Sequence, residues 1–190
     1  MRQSRKNKEM ISSAADAQKA TLKEAGEWVQ AIVIAVVLAF LIRTFLFEII
    51  LVDGSSMEPT LYDANRIFVY KLAYLTGKPQ HGDVVIFKTP ENIKYNYVKR
   101  LIGLPGDRVR IEDGVVYVND QPLDEPYTVA PPYNDYMEVT VPENAFFVLG
   151  DNRNDSKDSR DYRIGFVPMD NLVGKAVWRV WPLDNISAIH

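Results

Sequence analysis

From Trp28 to Ile42 the chain reads WVQAIVIAVVLAFLI, fifteen residues without a formal charge. Arg43 interrupts the run, and TFLF, Glu48 and IILV follow it. A helix that crosses a bilayer needs about 20 predominantly apolar residues. Counted from Gly26 to Phe45 the segment reaches that length, with Glu27 and Arg43 snorkelling from its two ends. A buried core helix would share the pattern. A cleaved secretory signal would share it too, but no small-x-small cleavage site stands near the end of the run. The retained anchor over 26–45 is the reading adopted. Residues 1–27 carry six basic side chains (Arg2, Arg5, Lys6, Lys8, Lys19, Lys23) against four acidic ones (Glu9, Asp16, Glu24, Glu27). That surplus keeps the polar tail, residues 1–25, in the cytoplasm by the positive-inside rule. Residues 46–190 then lie on the outer face of the membrane as one domain.

Beyond Phe45 the pattern changes. IILV (49–52), IFVY (67–70), VVIF (84–87) and FFVL (146–149) are short apolar runs bounded by Gly, Pro, Asn or Asp, which reads as strands. Arg108 to Glu112 alternates, Asp113-Gly114 supplies a two-residue turn, and Val115 to Asn119 returns as the second arm of a hairpin. A last strand runs from Leu172 to Trp181 and stops at Pro182. The expected fold is mainly β: one transmembrane helix, then an antiparallel coiled-sheet domain. Two loops interrupt it. Residues 120–136, with four prolines, read as an extended surface excursion, whereas 151–165 packs polar and charged groups between two apolar strands. A loop that long inside a compact domain is usually functional or disordered.

Composition works mostly by exclusion. The net charge of −3 gives no basic field for nucleic acid. Without a cysteine there is no disulfide, thiolate nucleophile or thiolate metal site. Only two histidines exist, His81 in a turn and His190 at the last position, so a three-His zinc site is excluded. Neither a metal nor an organic cofactor is indicated.

A hydroxyl nucleophile therefore needs an unusual base. Gly54-Ser55-Ser56-Met57-Glu58-Pro59 follows the first strand of this region and could be an ordinary turn. Lys99 lies in Asn96-Tyr-Val-Lys-Arg-Leu. In an extended strand Tyr97, Lys99 and Leu101 share one face. Apolar flanks penalise the ammonium and lower a lysine pKa, by as much as 3–5 units in full burial. Arg100 cannot serve, because a guanidinium does not deprotonate. From this strand alone, Lys99 could equally be a snorkelling surface residue.

GSSMEPTL (54–61), GDVVIF (82–87), YVKRLIGLPGDRV (97–109) and GDNRNDSKDSR (150–160) resemble, in order and spacing, the boxes of bacterial type I signal peptidases. RTFLFE (43–48) fits as well. The resemblance runs from about Trp28 to Pro182. It implies that Ser56 is the nucleophile, with its N–H an oxyanion donor, and that Lys99 is the general base. Ser156 would orient the lysine amine. Asp158 and Arg160 would form a supporting ion pair, with Asp151 and Arg153 bracing the same loop. Some family members place a serine hydroxyl two residues before the nucleophile as a second oxyanion donor. Gly54 stands there in this chain, so a backbone amide or water would substitute. The stretch Asp161 to Ile164 is longer than in many relatives.

Family members cut exported preproteins after small-x-small motifs, and the resemblance carries that expectation over. An extended substrate would pair with strand edges near 50–54 and 96–98, over shallow pockets lined by Val52, Met57, Leu61, Ile86, Tyr97 and Val98. The implied setting is the bacterial cytoplasmic membrane, with preproteins and lipid as partners. Two other readings compete: a Ser/Lys self-processing protease, and an inactive membrane-anchored β module.

Overall fold

The computed structural model describes residues 26–40, 42, 46–89 and 94–190. The chain divides into two units, Met1–Thr44 and Phe45–His190. In the first, residues 26–40 form helix α1. Fifteen residues at about 1.5 Å each span roughly 22 Å, short of a hydrocarbon core of about 30 Å. Among the described residues no helix is long and apolar enough to cross a membrane. The expected anchor is thus described only in part, since 41 and 43–45 lie outside the described residues. So do the expected tail, 1–25, and the first half of RTFLFE.

The second unit is an antiparallel β structure. Its strands are β1 (Phe47–Leu51), β2 (Arg66–Tyr70), β3 (Val84–Lys88), β4 (Asn96–Gly103), β5 (Arg108–Glu112), β6 (Val115–Val118), β7 (Gln121–Pro122), β8 (Tyr136–Thr140), β9 (Ala145–Leu149), β10 (Val167–Pro168), β11 (Leu172–Trp181) and β12 (Ser187–Ala188). One short helix, α2 (Ala73–Thr76), lies between β2 and β3. The larger sheet has the order β1-β2-β11-β3-β4-β9-β10, with β12 added on β11; the smaller has the order β7-β6-β5-β8.

Local sequence explains the pieces. Asp113 and Gly114 adopt φ of 50° and 76°, the left-handed pair that joins β5 to β6 in register Ile111 to Val116. The four consecutive apolar residues of β3 are all buried because both of its faces are covered. Val84 and Ile86 enter one core with Val52, Met57, Leu61, Ile67 and Val69, while Val85 and Phe87 enter another with Leu101, Phe146 and Val148. A third core, from Ile102, Val109, Ile111, Val116, Phe147 and Leu149, joins the smaller sheet to β4 and β9. Register shifts interrupt β11 against both β2 and β3, and β4 against β9. Such bulges increase local twist, which coils the sheet.

Two consequences matter for function. Among the described residues the outer edge of β1 pairs with no strand, since β1 sits at the end of the sheet. β4 meets β9 only from Arg100 onward, although it meets β3 from Asn96.

Candidate active site

Ser56 sits in the turn after β1, and Lys99 sits in the middle of β4. The fold brings them together: Lys99 Nζ donates to Ser56 Oγ at 2.6 Å and to the Val98 carbonyl at 2.9 Å. Lys99 is 4% exposed. The Tyr97 ring lies on the same side of the strand, its centroid 5.3 Å from the amine. Burial brings the amine down to about 8, against the opposing pull of Asp158 and Asp151. At that value about a tenth of the molecules hold a neutral amine at pH 7, against about one in 2,500 for a free lysine.

The turn that presents Ser56 depends on two glycines. Gly54 takes φ of 94°, a left-handed conformation that side chains rarely adopt. Its N–H donates to Asp63 Oδ1 at 2.8 Å, so the amide beside the missing serine hydroxyl is already engaged. Gly150, at the end of β9, is where the 151–160 loop crosses the Ser56 turn. A Cβ there would stand 2.5 Å from the Ser56 carbonyl oxygen and collide with Ser156 Oγ. The crossing is then fastened: Asn152 N–H donates to the Ser56 carbonyl at 3.1 Å, and Ser55 Oγ donates to Asp155 Oδ2 at 2.6 Å.

Beside Ser56 and Lys99 lies a cavity of about 370 Å³, lined by both of them together with Ile50, Val52, Ile67, Ile86, Tyr97 and Val98. Both strand edges reach it, because residues 50–53 form one wall and 95–99 the other.

The family described as "Signal peptidase, peptidase S26" matches residues 25–181. The chain belongs to that signal peptidase family. Signal peptidase I of Bacillus licheniformis is 44% identical over 170 residues, which cover 84% of this chain and 90% of the relative. Probable signal peptidase I-2 of Synechocystis sp. is 44% identical over 162 residues, covering 83% and 73%. A crystal structure of a signal peptidase I from Enterococcus faecalis V583 aligns with a TM-score of 0.47 at 36% identity, covering 52% of this chain and 97% of that one. Within the family the chain is of the bacterial type I group, a hydrolase of the serine protease class.

Several expected residues of this signal peptidase stand elsewhere than the sequence implied. Met57 and Leu61 do not line the cavity. The Leu61 N–H donates to the Met57 carbonyl at 2.8 Å, and this helical turn points both side chains into the core beneath. Ser156 does not hydrogen-bond Lys99; its hydroxyl is buried without a partner among the described residues. Asp158 and Arg160 do pair, through two contacts of 2.8 and 2.7 Å, and Asp158 also accepts the Gly150 N–H at 3.0 Å. Asp151 and Arg153, expected to brace the same loop, are joined by an Arg153 N–H bond to the Asp151 carbonyl at 3.1 Å, and their side chains reach other elements. Asp151 takes the Arg100 guanidinium in a two-point contact of 2.8 and 2.7 Å and accepts from Thr60 Oγ1 at 2.5 Å. Arg153 instead donates to Glu125 Oε2 at 2.5 Å.

Arg100, Thr60, Asn152 and Asp155 are the participants that sequence reasoning missed. The two-residue alternation of β4 does put Arg100 on the face opposite Lys99, but it does not say that this face is buried. His81 is held by Asp107, its Nε2 2.6 Å from Oδ2, and takes no part in the cavity. Among the described residues no cluster of His, Asp and Glu could hold a metal ion.

Proposed function

We propose that this signal peptidase is a membrane-anchored endopeptidase that removes signal peptides from exported preproteins after small-x-small sites, with Ser56 as nucleophile and Lys99 as base. The observation that carries the proposal is the 2.6 Å approach of a dehydrated Lys99 amine to the Ser56 hydroxyl. Once neutral, the amine accepts the hydroxyl proton as Oγ attacks the scissile carbonyl. The Ser56 N–H is assigned to the oxyanion, stabilising charge that develops only in the transition state. Lys99 then gives its proton to the leaving amine, and the cycle repeats with water on the acyl-enzyme. Ser156 is assigned to receive the lysine amine as it leaves Oγ. An unpaired buried hydroxyl costs about 1–3 kcal/mol, a cost that makes sense where a partner arrives during the reaction.

Substrate selection follows from the two free edges beside the cavity. An extended peptide laid between β1 and the first half of β4 would bond both backbones and present alternate side chains to Val52, Ile86, Tyr97 and Val98. Those walls suit alanine and crowd longer groups. The anchor reading rests on the apolar run and on α1, whose apolar side chains are exposed on every face, Ile34 and Leu38 as well as Val33 and Val36. A helix apolar all round is stable only inside a core or a bilayer. Single-pass topology with the tail in the cytoplasm follows from the charge surplus of residues 1–27.

The test is preprotein cleavage by the detergent-solubilised chain. Ser56→Ala and Lys99→Met each abolish cleavage while retaining the native far-ultraviolet spectrum. In the unsubstituted enzyme the rate climbs with pH and levels off above about 8, as Lys99 loses its proton. Near-normal cleavage by either folded variant refutes the dyad.

A further inference from the structure

The proline-rich stretch between β7 and β8 does more than cross the surface. Glu125 Oε2 accepts from Arg153 Nη1 at 2.5 Å, where the arginine side chain is fully buried. Tyr127 donates its hydroxyl to the other Glu125 oxygen at 3.2 Å. The Tyr127 ring faces the Arg100 guanidinium, 3.8 Å from ring centroid to Cζ, and lies 5.8 Å from that of Arg153. The next residue of the active-site loop is held from the same stretch. Asn154 accepts the Tyr133 N–H and donates to the Pro131 carbonyl, both at 2.9 Å.

The loop gripped in this way is the one that holds the nucleophile. Asp151 takes Thr60, Asn152 takes the Ser56 carbonyl, and Asp155 takes the Ser55 hydroxyl. Residues 151–155 therefore form a bracket with Ser56 on one side and the 123–135 stretch on the other. The chemistry of the grip is specific. Arg100 and Arg153 are two buried cations beside one ring; Asp151 already answers Arg100, so Arg153 is the one that needs a carboxylate from this stretch. Glu125 neutralises the second, and the face of the Tyr127 ring attracts the first.

We propose that Glu125 and Tyr127 are positioning residues for the peptidase reaction, fixing the 151–155 bracket so that Ser56 Oγ stays within reach of the Lys99 amine. The proposal rests on the Ser56/Lys99 reading. It assigns to the proline-rich stretch a part in the reaction that its place in a separate, smaller sheet would not suggest.

Three substitutions in the full chain, each assayed on preprotein in detergent, separate positioning from mere packing. Glu125→Gln keeps the shape and removes the charge, Tyr127→Ala removes the ring, and Tyr127→Phe keeps it. The expected result is kcat lowered about ten- to a hundred-fold in Glu125→Gln and Tyr127→Ala, because small misplacements of reacting groups cost that much. KM stays within about two-fold, since the cavity walls are untouched, and Tyr127→Phe restores most of the rate. The pH limb of the rate moves upward in the first two variants as water reaches the amine. Hydrogen exchange by mass spectrometry adds a readout that does not depend on cleavage: residues 151–158 lose protection in Glu125→Gln while β3 and β9 keep theirs. Unchanged kcat per folded molecule and unchanged protection of 151–158 in Glu125→Gln overturn the proposal, whether or not Tyr127→Ala folds. A loss of protection spread evenly over both sheets, with the pH limb unmoved, marks a packing role and overturns it equally. Failure of the dyad reading looks different, since Ser56→Ala would then cleave normally whatever the Glu125 variant does.

Discussion

The two sheets use the same ion-pair chemistry in opposite surroundings. Beside the active site, Arg100 with Asp151, Arg153 with Glu125 and Arg160 with Asp158 are pairs in which at least one member is fully buried. On the smaller sheet, Arg108 reaches Asp120 and Glu138, and Arg110 reaches Glu112, all with substantial exposure. Buried pairs are poor contributors to stability, because desolvation consumes most of the attraction. Their concentration around Lys99 has a chemical reason. A lysine is neutralised by dry surroundings only if no uncompensated carboxylate stands near it. Asp158 and Asp151 both pull the Lys99 pKa upward, and each is matched by an arginine, Arg160 and Arg100. With the carboxylates answered, desolvation wins. The network is better understood as an instrument for lowering the pKa of one amine than as a scaffold.

If that contrast is right, the largest effect comes from opening the buried network. Asp151→Ala leaves the Arg100 guanidinium, 1% exposed, without its two-point acceptor. Breaking one side of a buried pair costs about 3–5 kcal/mol, read as a lower urea midpoint at unchanged slope. A loss below about 1 kcal/mol would mean that water reaches Arg100 easily, and the contrast between the sheets would collapse.

The next effect is smaller and opposite in sign. Lys99 has a folded-state value near 8 against an ordinary 10.5. Below pH 8 the amine is charged in both states, and the folded state carries the whole cost of burying it. That cost fades as pH rises from 8 to 10.5, where the folded protein binds fewer protons than the unfolded chain. Lys99→Met, similar in length and uncharged, is therefore expected to stabilise the protein by up to about 3 kcal/mol below pH 8, a shift of about 2.5 units converted at 1.36 kcal/mol each. The gain shrinks toward pH 10.5. Urea titrations at pH 6.5 and pH 10 measure it, and a gain that is flat with pH would show that the amine is not held dry.

The sequence made the strands legible more readily than the partners of the charges. Period-two alternation and the Asp113-Gly114 turn located β5 and β6, and the run ending at Pro182 marked β11 at the observed bounds. These signals are local, since each is settled within about ten residues by backbone geometry and burial. The approach of Lys99 to Ser56 was reachable because the resemblance supplied the two positions, which alternation in β4 could support for Lys99. Asp151 and Arg153 were expected to brace the 151–165 loop, but nothing near them in the sequence names what their side chains bind. Their true partners, Arg100 and Glu125, lie 51 and 28 residues away, a pairing decided by which loops cross. Met57 and Leu61 misled for another reason. The resemblance set them in the pocket wall, and nothing in the sequence shows that a helical turn after Ser56 directs both side chains into the core.

The smallest expected effect is on the other side of the contrast, and it is the one that makes the contrast sharp. Arg108→Ala removes a guanidinium that contacts two carboxylates, so a count of ion pairs ranks it above Asp151→Ala. Exposure reverses that ranking. Water already solvates all three groups, salt screens them, and holding long side chains in one geometry offsets most of the attraction. Arg108→Ala is accordingly expected to move the urea midpoint by less than about a tenth of the Asp151→Ala shift, with cleavage unchanged. Raising the salt concentration leaves the difference from the unsubstituted protein too small to resolve. A shift comparable with that of Asp151→Ala would mean that the pairs on the smaller sheet share the burden of the fold. The buried pairs would then lose their special status, and the placement of charge around Lys99 would need an explanation other than the lowered pKa of its amine.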